Sequence, residues 1–127
     1  MHKSLPTTTK YLFMREPAND SVRLQHILDA CNMLLKGREN DTLEVVKADP
    51  IKFYGYVKLV EIIGEATYKL TKEFRNDNPQ IPWKMMEGMR HVLVHDYYRI
   101  SPEKLWDTIE RDIPPLVEMI HPLISQQ

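Results

Sequence analysis

The sequence predicts an all-α protein, in its simplest form an antiparallel bundle of four or five helices. Apolar residues recur at helical spacing in four separate segments. No segment alternates polar and apolar residues for long, and neither Asn-Gly nor Asp-Gly, the strongest hairpin signals, occurs. The 127 residues, 43% of them hydrophobic and 28% charged, are typical of one globular domain with a modest core.

The first predicted helix begins near Asp20 or Ser21, because either side chain can accept a hydrogen bond from the free N–H groups of a first turn. It is predicted to stop at Gly37, a residue type that often ends helices. The apolar residues between these limits share the helical period: Val22, Leu24, Ile27, Leu28, Cys31, Leu34 and Leu35.

The second predicted helix is the longest. Residues 42–47 are expected to form a short helix or a turn before it. Asp49 followed by Pro50 predicts its start, since Asp is a preferred N-cap and proline fits the first helical position. No proline interrupts the apolar pattern before about Phe74, so the helix is predicted to span roughly 25 residues.

Two further helices are predicted in the second half of the chain. A turn-rich connector at 76–82 precedes a helical period over 83–94. Ser101 and Pro102 repeat the cap-plus-proline signal and open the last helix. The consecutive prolines at 114 and 115 are expected to kink or end it, because proline lacks the N–H that a helix requires.

Composition restricts the classes of partner. The net charge is −1, so no overall basic field attracts nucleic acid, and any RNA contact must be local. The single cysteine, Cys31, excludes an intrachain disulfide and a cysteine-rich zinc site, and its expected role is core packing. No apolar run is long enough to cross a bilayer. We therefore expect a cytoplasmic protein without a membrane partner.

Arg90 and His95 form the main candidate for chemistry. Arginine offers a permanent planar cation for a phosphodiester, and histidine can carry a proton near neutral pH. Five positions place the two side chains about 140° apart on a continuous helix. They converge only if the helix ends near Val94 or if a second subunit completes the site. The alternative from spacing alone is a surface arginine beside a helix-capping histidine.

The same segment also offers possible zinc ligands. His91 and His95 are four residues apart and share a helical face, and Asp96 offers an oxygen ligand. No glutamate lies between the histidines and no fourth ligand stands out. We therefore predict neither a metal nor another cofactor.

The stretch from Glu61 to Ala66 is the second candidate region. Gly64 inside a long helix costs about 1 kcal/mol relative to alanine, which predicts that another backbone packs closely there. Glu65, next to that contact, is either a solvated charge or a residue that holds Arg90 in place.

Four blocks of the chain, taken together, resemble the HepT-like branch of the HEPN superfamily. The branch's signature is an arginine, four to six residues, a histidine, and often a tyrosine two residues later; Arg90, His95 and Tyr97 match it. The resemblance covers about residues 14–121, so we divide the chain into an extension (1–13) and a HepT-like domain (14–127). The four blocks are Arg23–Ala30, Glu61–Ala66, Ile81–Trp83 and Gly88–Tyr97.

The resemblance implies a homodimer and a metal-independent endoribonuclease that acts as the toxin of a type VII-like toxin–antitoxin system. By this analogy Arg90 would hold the scissile phosphate, and His95 would be the general acid or base while the ribose 2′-hydroxyl attacks. His91 would orient the phosphate. RNA would be the substrate, and DNA, which lacks the 2′-hydroxyl, would not be cleaved.

The resemblance also implies a partner, a small nucleotidyltransferase antitoxin that attaches AMP to Tyr97. Tyr98 is a second acceptor candidate and, with Glu65 and Asp96, completes the supporting residues of the site. Many relatives have glycine where this chain has Asp96, whose charge would lie beside the site. The alternative function is therefore a catalytically inert helical module that binds a nucleotidyltransferase or a nucleotide.

Overall fold

The computed structural model describes residues 19–91 and 100–125. Every regular element in these two ranges is helical, which confirms the predicted all-α class. The elements in chain order are α1 (Asp20–Asn40), α2 (Leu43–Ala48), α3 (Pro50–Tyr68), α4 (Lys72–Asp77), α5 (Trp83–Gly88), α6 (Pro102–Asp107), a π-helical turn (Thr108–Asp112) and α7 (Ile113–Ser125).

Helices α1 and α3 form an antiparallel pair that is tied at both ends. At the start of α1, the Asp20 carboxylate accepts hydrogen bonds from the N–H (2.9 Å) and hydroxyl (2.7 Å) of Thr71, which follows α3. Beyond the end of α1, Asp41 accepts from Lys52 Nζ (2.7 Å) and from the Tyr56 hydroxyl (2.5 Å), both early in α3. Helix α1 also packs against α7, and α3 packs against α5.

The core lies between these helices and contains Cys31. The thiol is fully buried, and desolvation raises its pKa to about 12, so Cys31 packs as an apolar residue, as predicted. The largest other fully buried side chains come from α1 to α3, α5, the π-helical turn and α7: Leu24, Ile27, Leu34, Val46, Val57, Ile63, Thr67, Met86, Ile109, Ile113, Leu116 and Ile120.

The predicted limits of the first helix were wrong at both ends. Asn19, rather than either of the next two residues, caps α1, and its side chain accepts from the N–H of Val22. The helix continues through Gly37 to Asn40. A Cβ on Gly37 would lie 2.6 Å from Cε1 and 2.8 Å from Cζ of Tyr56. This glycine therefore makes room for an aromatic ring and does not end the helix.

Helix α3 is shorter than predicted, since it ends at Tyr68 and not near Phe74. Thr71 starts a separate helix, because its hydroxyl oxygen accepts from the N–H of Phe74 (3.1 Å). The same hydroxyl donates to Asp20, 51 residues earlier in the chain. The break thus depends on a contact with α1, and neither glycine nor proline marks it.

The two predicted cap-plus-proline starts are confirmed. The Asp49 carboxylate accepts from the N–H groups of Ile51 and Lys52 at the start of α3. The Ser101 hydroxyl accepts from the N–H of Lys104 at the start of α6 (3.2 Å). Local side-chain chemistry fixes both starts.

The consecutive prolines do not end the last helix. The chain stays helical from α6 to α7, with the π-helical turn directly before them. In this turn the N–H of Ile113 donates to the carbonyl of Thr108, five residues earlier. Because prolines 114 and 115 supply no N–H group, a widened turn adapts the backbone to them while the helix continues.

We expect Tyr56→Phe to reduce stability at neutral pH. Hydrogen bonds from Lys52 and then Tyr56 hold the pKa of Asp41 below its usual range. A carboxyl whose pKa is lowered by folding contributes stability above its unfolded pKa of about 3.9 and loses it as the pH falls through the folded value. The difference between variant and wild type in the free energy of unfolding, measured with urea, should therefore become smaller in acid. A difference that is independent of pH would contradict this role of the Tyr56 hydroxyl.

Candidate active site around Arg90

Arg90 lies in a tight turn directly after α5. The N–H of Met89 donates to the carbonyl of Met86 (3.1 Å), and the N–H of Arg90 donates to that of Glu87 (3.2 Å). Both bonds span three residues, so the helix tightens before the chain continues at His91. The backbone of Arg90 is therefore part of a hydrogen-bonded turn.

Contacts with α4 anchor the helix that carries this turn. The buried Trp83 donates its indole N–H to the carbonyls of Arg75 (3.2 Å) and Asn78 (2.9 Å). Arg75 Nη1 also lies 3.0 Å from a carboxylate oxygen of Glu87. Both ends of α5 are thus held by the segment 75–78.

The turn touches the backbone of α3 at Gly64. A Cβ at this position would lie 2.6 Å from the carbonyl carbon of Met89 and 2.7 Å from Cα of Arg90. Such distances are impossible for a real side chain, so only glycine allows the two backbones to approach this closely. The close backbone contact predicted at Gly64 is confirmed.

The Arg90 guanidinium lies over the aromatic ring of Tyr68, a residue of α3. Its Cζ is 3.8 Å from the centroid of the Tyr68 ring, well within the range of a cation–π contact. Its Nε atom is buried and has no hydrogen-bond partner among the described residues. In the part of the chain that the structure describes, no carboxylate pairs with this guanidinium. The described contact with the Tyr68 ring leaves the positive charge of the guanidinium in place.

The other predicted catalytic residues lie next to this turn in the sequence. His91 directly follows the turn and is exposed. His95, Asp96, Tyr97 and Tyr98 lie outside the described residues, so their convergence on Arg90 stays a prediction. Residues 19–91 and 100–125 contain no cluster of three His, Cys, Asp or Glu side chains suited to a metal ion.

Glu65 lies between Gly64 and Tyr68 in α3 and lines a groove of about 190 Å³ between α1 and α3. Lys58 and Glu61 form an ion pair in this groove (2.5 Å). The groove's other lining residues are Arg23, His26, Ile62, Ala66 and Lys69. The described residues show no ion pair between Glu65 and Arg90, and the supporting role of Glu65 stays a prediction.

Tyr68 was missed as a site residue, because the sequence pattern presented it only as one apolar position of a long helix. A signal for it was present. Gly64 and Tyr68 are four residues apart and share a face of α3. Once glycine predicts a backbone contact, the residue one turn further along that face is expected to meet a side chain of the contacting segment.

Over 19–91 and 100–125, no helix has the combined length and apolar character that spanning a bilayer would require.

Fold and site together define an all-α protein whose candidate site is an arginine fixed by packing beside a histidine-containing motif. Residues 27–123 match the family described as Ribonuclease HepT-like. The chain belongs to this ribonuclease family, which confirms the resemblance inferred from its motifs.

Relatives of similar length are named as ribonucleases. The chain is 35% identical over 104 residues to a putative RNase of Caldanaerobacter subterraneus subsp. tengcongensis, covering 82% of this chain and 93% of the relative. It is 33% identical over 94 residues to a putative RNase of Methanocaldococcus jannaschii, covering 73% and 85%. It is 31% identical over 93 residues to a probable ribonuclease HepT of Thermococcus cleftensis, covering 73% and 84%. No solved structure matches the chain. These relatives support ribonuclease activity in general.

Proposed function

We propose that the protein is a metal-independent endoribonuclease that cleaves RNA through Arg90 and His95 and acts as the toxin of a two-gene module. The observation that carries the proposal is the state of Arg90. Its backbone is fixed against Gly64, its guanidinium lies on Tyr68, and no described carboxylate neutralises it. Membership in a ribonuclease family supplies the substrate class, RNA.

In the proposed reaction the ribose 2′-hydroxyl attacks the adjacent phosphorus. A 2′-oxygen–phosphorus bond forms and the bond from phosphorus to the 5′-oxygen breaks, which leaves a 2′,3′-cyclic phosphate and a 5′-hydroxyl. His95 takes the proton from the 2′-hydroxyl or gives one to the leaving oxygen. Arg90 stabilises the additional negative charge on the phosphate, and His91 orients it. No step requires a metal ion or another cofactor.

The active form is proposed to be a homodimer in which the Arg90 and His95 motifs of two chains face each other. Two copies of the motif bring together at least two arginines and four histidines, counting His91. This local concentration of cationic groups would attract RNA although each chain carries a net charge of only −1.

Regulation is proposed to occur through Tyr97. A nucleotidyltransferase antitoxin would join the phenolic oxygen to the α-phosphorus of ATP, with pyrophosphate as the leaving group. The product carries an additional anion and a bulky nucleoside beside a site that binds phosphate. Both the charge and the volume would exclude RNA. Tyr98 is the second candidate acceptor.

The proposed mechanism predicts that cleavage needs the 2′-hydroxyl and no metal. In excess chelator, an RNA with one 2′-deoxy nucleotide at the main cleavage site should remain intact there, while the all-ribose RNA is cut. The products should end in a 2′,3′-cyclic phosphate and a 5′-hydroxyl. Mass spectrometry of the fragments measures both. Cleavage that stops in chelator, or that proceeds at the deoxy position, would contradict the mechanism.

The second candidate function is an inert module that binds a nucleotidyltransferase or nucleotide. The observation that favours it is Asp96, a carboxylate adjacent to His95 that would repel a phosphate. Exchanging Asp96 for glycine separates the two functions. RNA cleavage by Asp96→Gly but not by wild type would favour the inert module, whereas cleavage by both proteins favours the endoribonuclease.

A further inference from the structure

We propose that Tyr68 is a positioning residue for Arg90, because its ring holds the guanidinium in a fixed orientation without neutralising it. The consequence for catalysis rests on the ribonuclease function proposed above. The orientation of the guanidinium itself does not, and it can be measured separately.

The contact between the two side chains is close. The Arg90 Cζ atom lies 3.8 Å from the Tyr68 ring centroid, a stacking distance, whereas cation–π contacts extend to about 6 Å. The Tyr68 residue remains 49% exposed, so its ring lies at the surface beside the guanidinium and is not part of the core. Because so exposed an aromatic residue contributes little to core packing, its contact with Arg90 calls for a different explanation.

One face of α3 fixes both parts of Arg90. Gly64 receives the backbone of the turn, and Tyr68, one helical turn later, receives the guanidinium. Arginine has several freely rotating side-chain bonds, and within residues 19–91 and 100–125 the buried Nε has no hydrogen-bond partner. Among the described contacts, stacking on the Tyr68 ring is therefore what restricts the Arg90 side chain to one direction.

The choice of an aromatic ring has a chemical reason. A carboxylate would hold the guanidinium with stronger hydrogen bonds, but it would also cancel the charge that a phosphate needs. The face of a tyrosine ring attracts the cation through its quadrupole, and the ring itself carries no formal charge. Arg90 can thus be ordered before RNA binds and still carry its full positive charge. Preorganisation of this kind acts mainly on the chemical step.

The cleavage test compares aromatic with non-aromatic variants. Tyr68→Phe keeps the ring and should retain kcat within about twofold, because the hydroxyl is not required for the stacking. Tyr68→Leu should lower kcat at least about tenfold with a smaller change in KM, since a disordered guanidinium must be ordered at each turnover. Tyr68→Gln provides a second non-aromatic variant with a side chain that favours helix. Ile51→Ala, which shortens an 85%-exposed side chain of α3, is the control and should leave cleavage unchanged.

A second readout does not depend on cleavage. In nuclear magnetic resonance spectra, ring currents should shift the Arg90 Nε–H resonance upfield in wild type and Tyr68→Phe, and the shift should vanish in Tyr68→Leu. Arg90→Lys assigns the resonance, because it removes that signal. An unshifted wild-type resonance, or equal kcat values for wild type and Tyr68→Leu, would overturn the positioning role. The expected resonance shifts in a protein that cleaves no RNA would support the positioning role and overturn only the proposed function.

Discussion

Replacing Arg90 by alanine is expected to lower kcat for RNA cleavage by about 10²–10³, the usual effect of removing one preorganised group that stabilises transition-state charge. Arg90→Lys should also be strongly impaired, because a lysine ammonium is a point charge that cannot stack flat on Tyr68 or bind a phosphate with two parallel hydrogen bonds. Single-turnover cleavage of a defined RNA measures both effects.

The matched control for this experiment is Arg111→Ala. Arg111 also lies next to a helix, but its side chain is 79% exposed and its ion pair with Asp107 (2.9 Å) is a surface pair. Such pairs contribute little to stability, so this variant should fold and cleave as wild type does. If Arg90→Ala keeps wild-type activity while remaining folded, Arg90 does not contact the reacting phosphate.

The second large effect is expected at Gly64. Gly64→Ala places a methyl group 2.6 Å from the backbone of Met89, and neither the helix backbone nor the backbone of the turn can move away as a flexible side chain could. We expect a loss of about 1–3 kcal/mol in the free energy of unfolding, the range for inserting a group into a packed site. RNA cleavage should fall as well, because the displaced turn carries Arg90.

Gly55→Ala is a control on the same helix. A Cβ on Gly55 would have no neighbour within 4 Å, and the residue is exposed. Alanine there should stabilise α3 by up to about 1 kcal/mol through helix propensity alone. Opposite shifts of the urea midpoint in the two variants would support the contact with the Arg90 turn. A Gly64→Ala protein as stable as Gly55→Ala would show that this contact is absent.

The sequence predicted the elements that local chemistry determines. The starts of α3 and α6 follow from an oxygen-bearing cap and a proline within two adjacent residues, so they were predictable. The end of α3 was not, because it depends on the hydrogen bonds of Thr71 with Asp20. Gly37 was misread for the same reason, since the ring of Tyr56 that explains it comes from another helix.

The candidate site shows the same division. Gly64 predicted a close backbone contact, because a glycine inside a helix lowers its stability relative to alanine and so needs a reason in the packing. The identity of the contacting segment, the turn carrying Arg90, required the tertiary structure. The spacing of Tyr68 from Gly64 predicts that its ring meets a side chain of the contacting segment, but the identity of that side chain, Arg90, required the tertiary structure.

The most direct measurement of the central claim is the cleavage of mixed cellular RNA in excess chelator by purified protein whose intact mass shows no added AMP. The proposed mechanism predicts cleavage by wild type and by His121→Ala, an exposed control histidine, and none by His95→Ala. RNA left intact by folded, AMP-free wild-type protein would contradict the claim. Equal cleavage by His95→Ala would also contradict it, because the proton transfers would then need another residue.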